Sequence, residues 1–220
     1  MKNAAADLCG RAMGATVRFL LALCFCMVMG TAGPALATEI TQLRVERGDD
    51  GVHLSALVRF DLPAVVEDAL LKGIPMFFVV EADIYRDRWY WTNPRVVSAA
   101  RTIRLAYQPL TRRWRVNIAS GLITSSAGLR ATLNQNYETL PEAISAIQRV
   151  ARWKIADAAE VDPDAAHKLD FNFRLDLTQL PRPFQIGVAG QKDWNISAQV
   201  RERLKLEPAA PVAASAEGVK

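Results

Sequence analysis

The sequence predicts a mainly β protein, a two-layer antiparallel β-sandwich of about eight strands with two short helices. Three observations carry this expectation. Apolar and polar residues alternate in at least four segments, as strands with one face on a core and one in water require. The clearest is 168–178, where Leu169, Phe171, Phe173, Leu175 and Leu177 alternate with Lys168, Asp170, Asn172, Arg174, Asp176 and Thr178. Gly, Pro and Asp clusters separate the segments, and two stretches carry helical spacing instead. A curved sheet wrapping a helix is the alternative architecture.

The first two strands, about 40–47 and 51–60, are joined by Gly48-Asp49-Asp50-Gly51, residue types that tolerate the positive φ of a tight hairpin. In the second, Val52, Leu54, Ala56, Val58 and Phe60 alternate. A helix from Pro63 to about Lys72 has proline at its first position and Gly73 as its stop. Strands at 75–88 and 96–107 follow, then a turn over Pro109 to Arg112 and a strand at 112–119 with Trp114, Val116 and Ile118 alternating. Residues 121–136 read as a long loop or a weak strand. The second helix runs from about Leu140 to Trp153. Thr139 is its N-cap, Pro141 lies in its first turn and Glu142 is its third residue. Ala143, Ile144, Ile147, Val150 and Ala151 give it an apolar stripe. Strands at 154–160, 167–178 and 193–204 complete the set, with Asp162-Pro163-Asp164 as a turn between the first two.

The N-terminus reads as a secretory signal peptide over 1–37. Lys2, Arg11 and Arg18 form a basic leader, residues 19–29 an unbroken apolar run, and Ala35-Leu36-Ala37 a peptidase site that places cleavage before Thr38. The run is shorter than the roughly 20 residues of a membrane span. Periplasmic export is therefore expected, with anchoring to the inner membrane by an uncleaved signal as the alternative. A single β-rich domain over 38–206 comes next, then an Ala/Pro-rich tail over 207–220 that reads as disordered. No transmembrane span is expected after cleavage.

Composition narrows the chemistry. All three cysteines (Cys9, Cys24, Cys26) lie in the leader, so the mature domain has no thiol nucleophile, disulfide or thiolate metal site. Setting aside Lys2, Arg11, Arg18 and Asp7 leaves 24 basic and 22 acidic residues, too even a balance for a nucleic-acid partner. His53 and His167 are isolated, and each reads as a solvated or locally hydrogen-bonded histidine. No cofactor or metal site is expected. Glu81 and Asp83 share one strand face and could serve a carboxylate-based hydrolase acting on envelope carbohydrate. Their plainer reading is pairing with arginines on a neighbouring strand.

The most unusual stretch is 86–115. It holds eight arginines, Arg86, Arg88, Arg95, Arg101, Arg104, Arg112, Arg113 and Arg115, against one acid, Asp87. Trp89, Tyr90, Trp91, Tyr107 and Trp114 are interleaved. Guanidinium binds carboxylate and phosphate bidentately and stacks on aromatic faces. Arg86, Arg88, Trp89, Trp91, Arg112, Arg113, Trp114 and Arg115 are thus the candidate contact surface for an anionic envelope component or an envelope protein. The competing reading is internal pairing with acidic neighbours. With no catalytic constellation present, a non-enzymatic binding or accessory domain is the expected function.

Four segments together resemble a known family: Tyr85-Arg86-Asp87-Arg88-Trp89-Tyr90-Trp91, the run from Arg104 to Trp114, Leu180-Pro181-Arg182-Pro183-Phe184-Gln185-Ile186-Gly187, and Asp193-Trp194-Asn195. The chain is similar over about 40–206 to exported bacterial proteins grouped as domain of unknown function 4390. The resemblance implies a Gram-negative periplasmic protein of unassigned activity and brings no catalytic or ligand residues with it. The family's genes are often found near a membrane sensor histidine kinase, which implies such a kinase as a partner.

Overall fold

A computed structural model describes residues 38–88, 93–122, 131–188 and 190–208. The segment 1–37 that reads as a signal peptide, Trp89, Tyr90, Trp91 and the tail from 209 lie outside the described residues. The chain divides into two units, Met1–Leu36 and Ala37–Lys220, and all the described residues belong to the second.

The fold is mainly β, built as two packed sheets. The described elements in order are β1 (Glu39–Gly48), β2 (Gly51–Arg59), α1 (Ala64–Leu71), β3 (Met76–Arg86), β4 (Arg95–Gln108), β5 (Arg113–Ser120), β6 (Ala131–Tyr137), α2 (Leu140–Gln148), β7 (Arg149–Ala156), β8 (His167–Leu175), α3 (Arg182–Val188), β9 (Ser197–Arg203) and β10 (Leu206–Pro208). One sheet has the order β10-β1-β2-β7, the other β6-β5-β4-β3-β8-β9. All neighbours pair antiparallel except β1 and the three-residue β10.

The core lies between the sheets, and β3 is its spine. Met76, Phe78, Val80, Ala82 and Ile84 point inward and are fully buried, flanked by Leu175, Phe173, Phe171 and Leu169 of β8 and by Leu105, Ile103 and Val97 of β4. Phe60, at the end of β2, comes from the opposite sheet. Its ring centroid is 5.4 Å from Phe78 and 5.3 Å from Phe173, which are themselves 5.7 Å apart. These are favourable aromatic separations, and they clamp one sheet to the other.

Several boundaries differ from the sequence reading. The second helix ends at Gln148, and 149–156 is strand β7. A β-bulge hides that strand: Leu54 and Ala56 of β2 oppose Trp153 and Val150, so three steps of β7 match two of β2, with Arg152 at φ 40°. Val150 and Trp153 therefore face inward at a spacing that imitates a helix. Arg149 caps α2 and opens β7 with extended dihedrals, so no loop intervenes. The stretch 157–161 is a turn, held by Glu160 accepting from the Asp157 amide at 2.7 Å. Strand β8 stops at Leu175 because Asp176 caps a 3-10 turn, accepting from the Thr178 amide at 3.0 Å. Trp194 and Ile196 are buried in a turn ahead of β9 rather than within it. The weak stretch before α2 contains β6, and 182–188 adds a third helix. In the first hairpin the positive φ falls on Gly51, at 147°, not on either aspartate. A Cβ there would stand 2.4 Å from the Ala156 carbonyl oxygen, so the position requires glycine.

Truncating the aromatic clamp tests this account. Phe78→Ala should cost about 3–5 kcal/mol, the usual range for an enclosed phenylalanine. The urea midpoint should fall accordingly, while Leu110→Ala, at a fully exposed turn, should leave it unchanged.

Candidate anion-binding surface

Strand β4 decides how the arginines of 86–115 are distributed. It is 14 residues long, and at about 3.3 Å per residue it runs roughly 45 Å. Arg86, Arg88 and Arg95 lie at one end of the β3–β4 pair, and Arg112, Arg113 and Arg115 lie at the other. The candidate surface is thus two clusters, not one.

At the first end the charges are mostly matched. Arg86 Nη2 is 3.4 Å from Asp162 Oδ2, Arg95 Nη1 is 3.6 Å from Asp83 Oδ2, and Lys168 Nζ is 2.8 Å from Asp87 Oδ1. Arg88 is exposed, and its backbone N–H donates to Asn93 Oδ1 at 3.1 Å. A cavity of about 590 Å³ opens here, with Tyr85, Asn93, Lys168, Asp170, Arg201 and Arg203 in its lining. Trp89 and Trp91 lie outside the described residues.

At the second end the charges are poorly matched. Strand alternation directs Arg113 and Arg115 to the outer face, beside Gln108 and Ala106 of β4. Arg115 is held by neutral amides. Its Nε donates to Asn136 Oδ1 at 3.2 Å, and a Gln108 oxygen turned toward the guanidinium accepts from Nη1 and Nη2 at 3.1 and 3.2 Å. Arg113 approaches one acid, Glu138, at 3.6 Å, but both side chains are more than half exposed, so the pair contributes little. Arg112 is exposed, has no ion pair among the described residues, and takes a φ of 51°. The left-handed region costs an ordinary residue about 1–2 kcal/mol, and glycine avoids that cost. Two positions before it, Leu110 is wholly exposed at the tip of the turn.

The same alternation removes one candidate residue from the surface. Trp114 faces inward, is buried, and packs on Tyr107 with ring centroids 4.8 Å apart. It is a core residue and not a contact. Arg101 also turns inward. It is 9 % exposed, its guanidinium lies 5.1 Å from the Trp153 ring centroid, and its Nε has no hydrogen-bond partner. Burial lowers its pKa to about 10.

The acidic residues of the outer face are engaged by neighbouring strands. Glu81 accepts from Asn172 Nδ2 at 3.1 Å and from Arg174 Nη2 at 3.4 Å. Asp83 stands directly opposite Asp170. Like charges in that position repel, and each has a counter-ion: Arg95 for Asp83, and Arg201 at 2.6 Å for Asp170. His53 and His167 are both buried, not solvated, and His53 Nε2 is 3.3 Å from Asp50 Oδ2. Among the described residues no group of three or more His, Cys, Asp or Glu side chains is placed to hold a metal ion. No described helix is long and apolar enough to cross a membrane.

Sequence reasoning missed Leu110 and the Asn117, Asn134 and Asn136 amides that adjoin the arginines. An apolar residue inside a Pro-Leu-Thr-Arg turn was the available signal for the first. The amides gave none: Asn117 is an ordinary polar residue of a predicted strand, and Asn134 and Asn136 lie in a stretch that read as a loop or a weak strand.

A family model described as Domain of unknown function (DUF4390) matches residues 35–203, and the chain belongs to that family. No curated protein and no solved structure gives a significant match.

Arg101 gives a test of the inward assignment. A folded pKa below the ordinary arginine value means the folded state disfavours the charge, so at neutral pH Arg101 opposes folding. That opposition eases only as the pH rises past about 10. Arg101→Met keeps an apolar contact with Trp153 and removes the charge. It should raise stability at neutral pH by about 1–3 kcal/mol in urea unfolding. A loss of that size would show that the guanidinium contact stabilises the seam.

Proposed function

We propose that this chain is an exported, non-enzymatic binding or accessory domain of the bacterial cell envelope that contacts an anionic partner through Arg112, Arg113 and Arg115. One observation carries the reading: among the described residues, of three arginines at one end of the larger sheet only Arg113 has an acid near it, the highly exposed Glu138, whereas those at the other end are mostly paired. A partner's carboxylate or phosphate can displace Glu138 from Arg113 at little cost, and Arg115 gives up only neutral amides. The strained backbone at Arg112 supports the same reading, since such residues concentrate where function requires them. Leu110 adds an apolar contact beside the charges.

The basic leader, apolar run and Ala-Leu-Ala site support a periplasmic location, with an inner-membrane anchor as the alternative. A membrane sensor histidine kinase is the partner class that the family resemblance suggests.

The test is a pull-down from envelope extract with the wild type and with Arg112→Ala/Arg113→Ala/Arg115→Ala, at low and high salt. Exposed charge contacts are screened over about 8 Å at physiological ionic strength. The wild type should retain a partner at low salt that the triple variant loses and that high salt weakens. Equal retention by both proteins at both salts would remove this surface from the reading. Arg112→Gly separates binding from folding. It should relax the turn and raise stability by about 1 kcal/mol, yet weaken retention.

A further inference from the structure

Among the described residues the sheets end in four edge strands, β10 and β7 in one and β6 and β9 in the other. An edge exposes unpaired backbone N–H and C=O groups, and proteins usually guard it with charges, proline, bulges or shortness. Three edges here are guarded. β10 is three residues long and ends in Pro208. β9 carries Arg201, Glu202 and Arg203. β7 carries Arg149, Arg152 and Lys154 together with the bulge at Arg152.

β6 differs. Across Ala131–Tyr137 it has no charged residue and no proline. Its one irregularity is a register shift at its start, and Leu133 to Tyr137 then pair continuously with Ile118 to Trp114. Leu133, Asn134, Gln135 and Asn136 are all exposed. On the outer face Asn134 and Asn136 stand beside Asn117 and Arg115, and the Arg115 guanidinium reaches across to Asn136. Arg113 and Arg112 follow toward the turn. On the inner face Leu133 stands beside Ile118. A strand laid along this edge would place alternate side chains near arginines on one face and near Leu133 on the other.

We infer that β6 is a β-augmentation edge, which takes an extended acidic segment of a partner polypeptide as a seventh strand of the larger sheet. Main-chain hydrogen bonds to β6 hold the segment, and its outward carboxylates meet Arg115 and Arg113. Its inward residues are apolar and cover Leu133. A second copy of this chain fits poorly, because antiparallel β6–β6 pairing about a twofold axis would bring both sets of arginines onto one face. This inference rests on the reading of Arg112, Arg113 and Arg115 as an anion contact and adds the form of the partner.

The test uses the full chain and three probes. The first is a short synthetic peptide alternating Glu with Val, the second is the same peptide N-methylated at alternate residues, and the third is anionic phospholipid vesicles. N-methylation keeps every charge and side chain but removes the donors that a strand needs. The expected result is that the first peptide binds and protects the amides of 133–137 from hydrogen exchange. The N-methylated peptide should bind about tenfold more weakly or worse, as the loss of two or three hydrogen bonds implies. Equal binding of the two peptides would overturn strand addition while leaving the anion contact standing. So would binding of vesicles alone, lost in Arg112→Ala/Arg113→Ala/Arg115→Ala. If no anionic probe binds the wild type, both readings fall. Arg112→Ala/Arg113→Ala/Arg115→Ala should also lose the first peptide, and because these side chains are not in the core its fold should be retained.

Discussion

Burial of the inner face of β3 is the constraint on which the rest of the molecule depends. Five alternate residues of that strand are removed from water, and Phe60 reaches from the opposite sheet to close on Phe78 and Phe173. Because β3 pairs with β4 on one side and β8 on the other, its register positions every strand of the larger sheet. Side chains in a strand alternate strictly, so once Phe78 points inward the facing of Arg101, Arg104, Arg113 and Arg115 is settled too. The placement of charge follows from the placement of hydrocarbon.

That dependence explains why one arginine is buried and its neighbours are not. Arg101 occupies a position that the pattern reserves for an apolar residue, and it is accommodated by an indole face instead of a counter-ion. Arg113 and Arg115 occupy outward positions next to a strand that offers amides and no acids. Arg115 meets neutral amides and Arg113 one highly exposed acid, an arrangement that an anionic partner can improve upon. Elsewhere on the same face, Glu81, Asp83 and Asp170 each meet an arginine, so the outer surface is balanced along β3, β8 and β9.

How much was legible in the sequence depended on whether each strand had one wet face and one dry face. β2 and β8 do, and their alternation marks them plainly. β7 concealed itself because the extra residue at Arg152 shifted Val150 and Trp153 into helical spacing. β6 concealed itself because an edge strand beside polar neighbours needs little apolar content. The hairpin position of Arg112 and the outward course of Arg113 and Arg115 were readable from the turn at Pro109. Their separation from Arg86 and Arg88 was not, since it depends on the length of β4. Trp114 lies between arginines in the chain but shares the inward face of the series Trp114, Val116, Ile118, so alternation and not sequence proximity sets its burial.

The junction between α2 and β7 has a mechanical meaning. α2 connects β6 of one sheet to β7 of the other, and it hands over to the strand at Arg149 without a loop. Buried Ala143 and Ile147 seat the helix on the core, and Gln148 donates to the Phe60 carbonyl at 2.9 Å. A connection without slack transmits displacement instead of absorbing it. A pull on β6 would therefore be carried by a short rod into the facing sheet, where Gln148 holds Phe60 of the aromatic clamp. The two sheets behave less like independent leaves than like plates joined by a strut.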